Sequence, residues 1–191
     1  MVRVVPSART EPADSVLVAS ASAGVPWAYE LLFARYAGVV HGLACRLLGS
    51  DDEADDVVQN TFIVAFGSLD RLENPAAVRS WLCGIAVRRT AKLIRRRRLL
   101  RRLGLLAASS FDVEPLLSSD APPDVVAQLR AVYSLLEHMP ADLRTVFLLR
   151  RVEGSTIDEI ATLTRASPST VKRRLAKAEA RFRVLLQTAR P

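Results

Sequence analysis

Residues 156–186 contain two helical patterns separated by a short polar break, and this stretch constrains the fold more than any other. Ser155 and Thr156 stand three residues before Asp158 and Glu159, the spacing of a helix capping box, and Ser167 followed by Pro168 is a second helix-start signal. Apolar residues then recur every three or four positions, on one face of each helix: Ile157, Ile160, Ala161 and Leu163, then Val171, Leu175, Ala178, Phe182 and Leu185. The pattern predicts a helix-turn-helix, whose second helix enters the major groove of DNA.

The outer face of the second predicted helix is polar and cationic. It carries Ser169, Thr170, Lys172, Arg173 and Lys177. Side chains of these types on a recognition helix contact base edges and phosphates. An ordinary helical hairpin with a solvated basic face is the alternative interpretation of the same pattern.

Charge is distributed unevenly along the chain. Residues 25–75 carry 3 basic and 8 acidic side chains, whereas residues 76–105 carry 10 basic and none acidic, and residues 155–191 carry 8 basic and 3 acidic. Two separate cationic segments indicate a polyanion that is contacted at two places. The acidic segment before them indicates a basic surface on a different partner.

The acidic segment coincides with a predicted helix. A first helical pattern begins at Tyr29 and is followed by Gly49 as a C-cap, and Ser50 with Glu53 then predicts a capping box and a second helix to about Phe66. The outer positions of this second helix are Asp52, Asp55, Asp56, Gln59 and Asn60. The helix dipole explains one or two acids at an N-terminus, less easily five within DDEADD. The glycine and distal glutamate of a calcium loop are missing, so we predict no metal site.

A strongly cationic helix is predicted after a polar loop at residues 67–74. Asn74 followed by Pro75 signals its start. The helix ends in a dense run of positive charge: Arg88, Arg89, Lys92, Arg95, Arg96, Arg97, Arg98, Arg101 and Arg102. Such a run repels itself unless a polyanion neutralises it, which favours nucleic acid over a merely solvated face. Trp81 lies beside the run and could stack an unpaired base, although its apolar stripe also fits a core position.

Composition excludes several other classes of protein. Half of the 191 residues are apolar, but we identify no window that predicts a membrane span and no secretory signal. Cys45 and Cys83 lack metal-ligand spacing, so we expect buried thiols in a reducing compartment rather than a disulfide or a zinc site. We therefore expect a cytoplasmic protein without a cofactor.

The chain divides into four segments with an all-α fold. Residues 1–24 lack periodicity and predict a disordered arm, and residues 25–103 predict a first small helical domain. Residues 104–123 are rich in Ser, Asp and Pro in their later half and predict a flexible linker. Residues 124–191 form the second domain, which contains the helix-turn-helix.

The order of these parts resembles the extracytoplasmic-function (group IV) sigma factors of bacterial RNA polymerase, in the sigma-70 family. The resemblance covers about residues 27–188 and is most specific at residues 51–66, 79–98 and 136–183. It implies a region 2 helical bundle, a region 4 helix-turn-helix, no enzymatic activity, and promoter recognition at transcription initiation. The implied partners are the clamp helices of the largest core polymerase subunit, the flap of the second-largest subunit, and promoter DNA in duplex and single-stranded form. An anti-sigma factor is a further partner usual for the family.

The resemblance also assigns roles to residues. For binding of the polymerase clamp helices it implies Asp52, Asp55, Asp56, Gln59 and Asn60. For the opened minus-ten element it implies Ser68, Asp70, Arg71, Asn74, Arg79, Trp81, Arg88, Arg89 and Lys92. For the duplex minus-thirty-five element it implies Ser169, Thr170, Lys172, Arg173, Arg174 and Lys177. The loop at residues 67–74 would receive an extruded base.

Four positions depart from the family pattern. The family usually has Asn at the position of Arg88, Asp at Lys92, Gly at Arg165 and Leu at Thr164. The first two changes add positive charge and put the promoter preference in question. A left-handed backbone at Arg165 would cost about 1 kcal/mol, and Thr164 would loosen the packing of the two helices.

Two other classes of function are less consistent with the sequence. A repressor or activator that binds DNA alone would use residues 124–188, but it leaves the acidic and arginine-rich helices without a role, and no heptad zipper is present for a dimer. An enzyme is disfavoured because the two histidines, His41 and His138, occupy structural positions and no phosphate loop or activated nucleophile is evident.

Overall fold

The computed structural model describes residues 12–106, 111–118 and 120–188, and these residues form α-helices and short 3-10 turns without any strand. The helices are α1 (Asp14–Ser22), α2 (Pro26–Leu48), α3 (Ala54–Phe66), α4 (Val78–Arg102), α5 (Pro123–Glu137), α6 (Ala141–Arg151), α7 (Ile157–Thr164) and α8 (Pro168–Thr188). The 3-10 turns cover Leu69–Arg71, Pro75–Ala77 and Glu114–Leu116. The predicted all-α fold is confirmed.

Helix α2 lies at the centre of the N-terminal helices and contacts α1, α3 and α4. Its buried side chains include Leu32, Tyr36, Val40, Leu43 and Leu47. Gly49 ends the helix in the left-handed conformation, with φ of 77°, and donates its N–H to the carbonyl oxygen of Cys45 at 2.7 Å. The predicted glycine C-cap is therefore confirmed.

By length and composition alone, α2 is long and apolar enough to cross a membrane, which the sequence analysis did not anticipate. The core helix of a soluble protein can have the same length and composition. In this fold α2 buries nine of its residues against its neighbours. Its apolar character therefore has an explanation in packing.

Two predictions about helix starts and termini are wrong. The predicted Ser50–Glu53 capping box is absent. Glu53 itself occupies the N-cap position of α3 without a side-chain hydrogen bond to the backbone, because its carboxylate pairs with Arg97 of α4.

The prediction of a disordered arm is also wrong over part of its length. Residues 1–11 lie outside the described residues, but α1 buries Leu17, Val18 and Ala21. The Asp14 carboxylate at its start accepts hydrogen bonds from Arg35 and Tyr36 of α2.

The C-terminal helices form the predicted helix-turn-helix. α8 packs on α6 and α7, and the rings of Phe147 and Phe182 lie 4.8 Å apart between α6 and α8. Thr156 and Glu159 form the capping box at the start of α7, as predicted. The Ser167 hydroxyl accepts the backbone N–H of Thr170 at 3.2 Å and so caps α8.

The N-terminal and C-terminal helices pack against each other, with α4 on α6 and α7 and α2 on α6. The Arg144 guanidinium, on a side chain that is only 3% exposed, donates to the carbonyl oxygens of Leu47 and Leu48 at 3.0 and 2.7 Å. The Tyr133 hydroxyl donates to the carbonyl oxygen of Arg46 at 2.6 Å. These bonds satisfy carbonyl oxygens in the last turn of α2, which have no partner within the helix, so the helix terminus is capped by the other domain. The Arg46 guanidinium also pairs with the Glu153 carboxylate. We call this contact the interdomain face; it comprises residues 46–49 with Tyr133, Arg144 and Glu153.

The segment predicted as a flexible linker is partly ordered. Phe111 and Val113 are buried, and the Arg130 guanidinium donates to the carbonyl oxygen of Phe111 at 3.1 Å. Phe111 lies 5.7 Å below the guanidinium carbon of Arg144. Residues 111–113 therefore pack beside the interdomain face instead of crossing solvent.

Replacing Thr156 by alanine is expected to lower the free energy of unfolding by about 1 kcal/mol. The threonine hydroxyl accepts the N–H of Glu159 at 3.2 Å, and that donor would lose its partner. Urea unfolding monitored by circular dichroism would measure the loss. Thr162→Ala is the matched control because the Thr162 hydroxyl only donates to the Asp158 carbonyl within α7. Equal stability of the two variants would contradict a contribution from the cap.

Candidate polymerase and nucleic-acid interfaces

The predicted acidic residues lie together on the exposed face of α3 and just before it. Asp52, Asp55, Asp56, Gln59 and Asn60 are all exposed. The opposite face of α3 is buried through Val57, Val58, Thr61 and Phe62. Because the helical period separates the two faces, the carboxylates are displayed to solvent while the apolar residues fix the helix in the core. We call this surface the acidic face.

The acidic face has few internal counter-charges. The Asp55 side chain is 94% exposed and lies 3.5 Å from the His41 imidazole. The Asn60 amide donates to the carbonyl oxygen of Asp56 at 2.8 Å, one turn earlier in the helix. A surface of this kind attracts a basic partner.

An apolar residue that the sequence analysis missed borders the acidic face. Ile63 follows Gln59 and Asn60 by one turn of α3 and is 62% exposed. Its helical spacing from those two residues was the signal that could have identified it. An exposed isoleucine beside carboxylates would let a partner bind through an apolar contact as well as through charge.

Several residues of the predicted minus-ten set surround a pocket of about 440 Å³. It is lined by Val64, Ser68, Arg71, Trp81, Ile85, Arg88, Arg89, Lys92 and Arg165. Six of the nine predicted minus-ten residues are thus brought together. Arg79 lies apart from them, in a groove shared with α6 and α7. We call the space the cationic pocket.

Two polar residues of the predicted set also have local structural roles. The Ser68 hydroxyl donates to the carbonyl oxygen of Val64 at 2.6 Å. The Asn74 side chain accepts the backbone N–H of Ala76 at 3.1 Å and caps the turn that precedes α4. Asp70 and Arg71 remain exposed in the 3-10 turn between them. The loop thus has fixed ends and exposed charged residues at its centre.

Arg88 connects the predicted minus-ten surface to the helix-turn-helix. Its guanidinium donates to the carbonyl oxygen of Leu163, near the end of α7, at 3.1 Å. Burial lowers the pKa of Arg88, and the nearby charge of Arg165 lowers it further. Part of the predicted minus-ten surface is therefore covered by the second domain in this arrangement.

The turn of the helix-turn-helix places a non-glycine residue in the left-handed backbone conformation. Arg165 adopts the left-handed region with φ of 51° and ψ of 44°. Its N–H and that of Ala166 close the end of α7 by donating to Thr162 and Ala161 carbonyl oxygens. The Thr164 hydroxyl donates to the Ile160 carbonyl at 2.6 Å, so its polar group is satisfied within α7.

The predicted recognition helix is α8, and its cationic side is mostly open. Ser169, Lys172, Arg173 and Lys177 are exposed. Thr170 is half-buried, and its hydroxyl lies 2.9 Å from the capping Ser167 hydroxyl. Arg174 points elsewhere, because its guanidinium pairs with the Asp142 carboxylate of α6 at 3.3 Å. Arg174 thus belongs to the packing of the domain as well as to the predicted set.

Comparison with known proteins matches both parts of this arrangement. Residues 32–99 match the family model "Sigma-70 region 2", and residues 129–182 match the family model "Sigma-70, region 4". The first range contains the acidic face and most of the cationic pocket. The second contains the helix-turn-helix.

Individual proteins are similar over nearly the whole chain. The RNA polymerase sigma-H factor of Pseudomonas aeruginosa is 32% identical over 180 residues, which cover 88% of this chain and 91% of that protein. The ECF RNA polymerase sigma-E factor of Haemophilus influenzae is 33% identical over 173 residues, which cover 86% and 90%. The solved structure of sigma factor RpoE in complex with the anti-sigma factor NepR, from Bartonella quintana, has the same fold, with a TM-score of 0.61 and 22% identity over 85% of this chain and 98% of that one.

Proposed function

The chain belongs to the extracytoplasmic-function sigma factors of the sigma-70 family, and on this premise we propose that it binds core RNA polymerase and directs promoter recognition and transcription initiation. The observation that carries this function is the arrangement of charge within the matched regions. An acidic face stands on α3, a cationic surface follows on α4, and a second cationic surface stands on α8. Sigma factors are not catalytic, and we assign the chain no bond chemistry of its own.

The acidic face would dock on the clamp helices of the largest polymerase subunit. Its five polar residues are exposed and lie on a helix whose other face is fixed in the core. Complementary charge speeds encounter and orients the two surfaces. The flap of the second-largest subunit is the further contact that the family implies, for the second domain.

The minus-ten and minus-thirty-five elements would be read by different domains that must separate. The two elements are about 25 base pairs apart, which is roughly 85 Å of duplex. A compact chain of 191 residues has a radius of gyration of about 16 Å. An extended linker over residues 104–123 could reach about 66 Å. We infer that promoter binding requires the interdomain face to open and residues 111–113 to leave their buried position.

Each cationic surface has its own task in this proposal. On α4, Trp81 and the cations beside it would hold an opened strand through stacking and backbone neutralisation. On α8, exposed side chains near its N-terminus would reach base edges, and the more distal cations would hold phosphates. Two tethered contacts raise overall affinity without any new interaction.

An anti-sigma factor is a further partner that we propose for this chain. The similarly folded sigma factor RpoE was solved in complex with the anti-sigma factor NepR. We also place the chain in the bacterial cytoplasm, where core polymerase and promoter DNA are available. Both free cysteines are compatible with a reducing compartment.

Transcription from candidate promoters by purified core polymerase, with and without the protein, tests the proposed function. Transcript is expected only in the reaction that contains the protein. A footprint on promoter DNA is likewise expected only when core polymerase is present. Equal transcript in both reactions would refute the sigma function, and protection of a DNA site by the protein alone would favour a repressor or activator.

A further inference from the structure

The cationic pocket is built by both domains. Arg71, Arg88, Arg89 and Lys92 come from the N-terminal helices and their loop, whereas Arg165 comes from the turn of the helix-turn-helix. The positions are far apart in sequence and meet only because α7 packs on α4. The complete pocket therefore exists in the closed arrangement of the two domains.

The pocket gathers positive charge without compensation. None of its lining residues is a carboxylate. Within the part of the chain that the structure describes, these five cations take part in none of the ion pairs, which join other residues. Burial, and then the charge of Arg165, lower the pKa of Arg88 from its ordinary value. A bound anion would reverse that effect.

Arg165 contributes its charge from an unfavourable backbone conformation. It is the one non-glycine residue with positive φ among those described, at 51°. Glycine adopts this region without steric penalty, whereas an arginine does not. Arg88 and Lys92 of α4 line the same pocket. Cations from two domains therefore converge on one space.

The shape and the aromatic lining indicate the size of the ligand. The volume of about 440 Å³ is within the usual range for small-molecule sites. An adjoining pocket of about 300 Å³ shares Arg71, Trp81, Arg88 and Arg165 and is also lined by Glu73. Several convergent guanidinium groups match an anion with linked phosphates, and the half-buried indole of Trp81 can stack a base.

We propose that the cationic pocket binds a small oligophosphate, either inorganic or the phosphate chain of a nucleotide, which bridges the two domains. Arg165 contacts it from one side, and Arg88, Arg89 and Lys92 contact it from the other. The bound oligophosphate holds the domains closed and occupies the surface assigned above to the opened promoter strand. Its regulatory consequence rests on the proposed sigma function, but binding itself does not.

Isothermal titration of the full chain with sodium tripolyphosphate tests the proposal. The unaltered chain is expected to bind one tripolyphosphate per molecule, more weakly as salt increases. Arg165→Ala is expected to weaken binding by about ten-fold or more, because it removes a charge-assisted contact. Arg165→Gly should lose the same affinity while relieving the backbone, so impaired folding cannot account for a loss seen in both variants. Arg181→Ala removes an exposed charge on α8 outside the pocket and should bind like the unaltered chain.

Comparison of ligands identifies the source of the phosphates. If GTP binds more tightly than tripolyphosphate, and Trp81→Ala removes this difference, the site is supported with a nucleotide as its ligand. Equal binding of both would support it with the phosphate chain alone. Absence of tripolyphosphate binding, or equal losses in Arg165→Ala and Arg181→Ala, would overturn the proposal. The proposal would also be overturned if Arg165→Ala weakened the binding of single-stranded DNA as much as that of tripolyphosphate, since the pocket would then serve the promoter strand.

The test of oligophosphate binding can fail or succeed independently of the test of the sigma function. Arg165 is outside the sets assigned to promoter DNA and core polymerase, so its alanine variant should still support transcription when oligophosphate is absent. Transcription by the unaltered protein without any tripolyphosphate binding would leave the sigma function standing and reject the pocket. Tripolyphosphate binding that depends on Arg165, without transcription, would do the reverse.

Discussion

Replacing both Asp55 and Asp56 by lysine is expected to abolish detectable binding to core RNA polymerase. Both carboxylates are exposed in the first turn of α3, on the acidic face with Asp52, Gln59 and Asn60. Placing like charges across a complementary interface costs several kcal/mol, so affinity should fall by about 100-fold or more. Lysines at a helix N-terminus oppose its dipole by only about 0.3–1 kcal/mol each, so the helix should persist.

Core binding would be measured by native gel shift or co-purification, and helix content by circular dichroism. The matched control is the double variant Asp120→Lys and Asp124→Lys, which makes the same change in net charge at two exposed positions before and within α5. The control should bind core polymerase normally. Loss of binding in both double variants would attribute the effect to net charge, and retention in both would deny the acidic face this role.

The sequence predicted well those features that depend on residues close together in the chain. The Thr156–Glu159 capping box and the Gly49 C-cap are interactions over a few residues, and both have the predicted geometry. The acidic face was also predictable, because a buried stripe on a helix fixes which residues point outward. Whether Arg165 would have a left-handed backbone was left open by the sequence, and the structure shows that it does.

The contacts between domains were not predictable in the same way. Periodicity indicates that one face of α6 is buried but not what covers it. Within α6, Arg150 is exposed, whereas Arg144 is almost fully buried under Phe111 and Tyr133. Burial lowers the pKa of Arg144 to about 10. Arginine is among the residues least often buried, so its residue type predicts an exposed position.

The failure of the Ser50–Glu53 prediction has the same origin. A capping box is a local option for a glutamate, but Arg97 lies on α4, more than forty residues further along, and takes the Glu53 carboxylate. The predicted arm and linker failed where a few apolar residues found partners in the core. Segments without periodicity can therefore be ordered by long-range packing, which no local pattern reports.

Replacing Gly49 by alanine is expected to open the interdomain face. Gly49 has a φ of 77°, and a Cβ at this position would lie 2.3 Å from Cδ1 of the Tyr133 ring. The left-handed backbone costs a non-glycine residue about 1–2 kcal/mol in either arrangement. The clash with Tyr133 exists only while the domains are closed, and overpacking of this kind costs about 1–3 kcal/mol. Separation of the domains relieves it, so the closed form should lose about 5- to 150-fold in population.

Gly154→Ala separates the backbone effect from the clash. Gly154 also has positive φ, at 68°, but a Cβ there meets nothing within 4 Å. Small-angle X-ray scattering should therefore show a larger radius of gyration for Gly49→Ala and an unchanged one for Gly154→Ala, although both lose stability in urea unfolding. Because Tyr133 also caps the end of α2 through the Arg46 carbonyl, opening removes that bond together with the clash. An unchanged radius for Gly49→Ala would mean that the Tyr133 ring moves aside within a closed molecule, and that the Arg144 bonds to Leu47 and Leu48 are enough to hold the domains together.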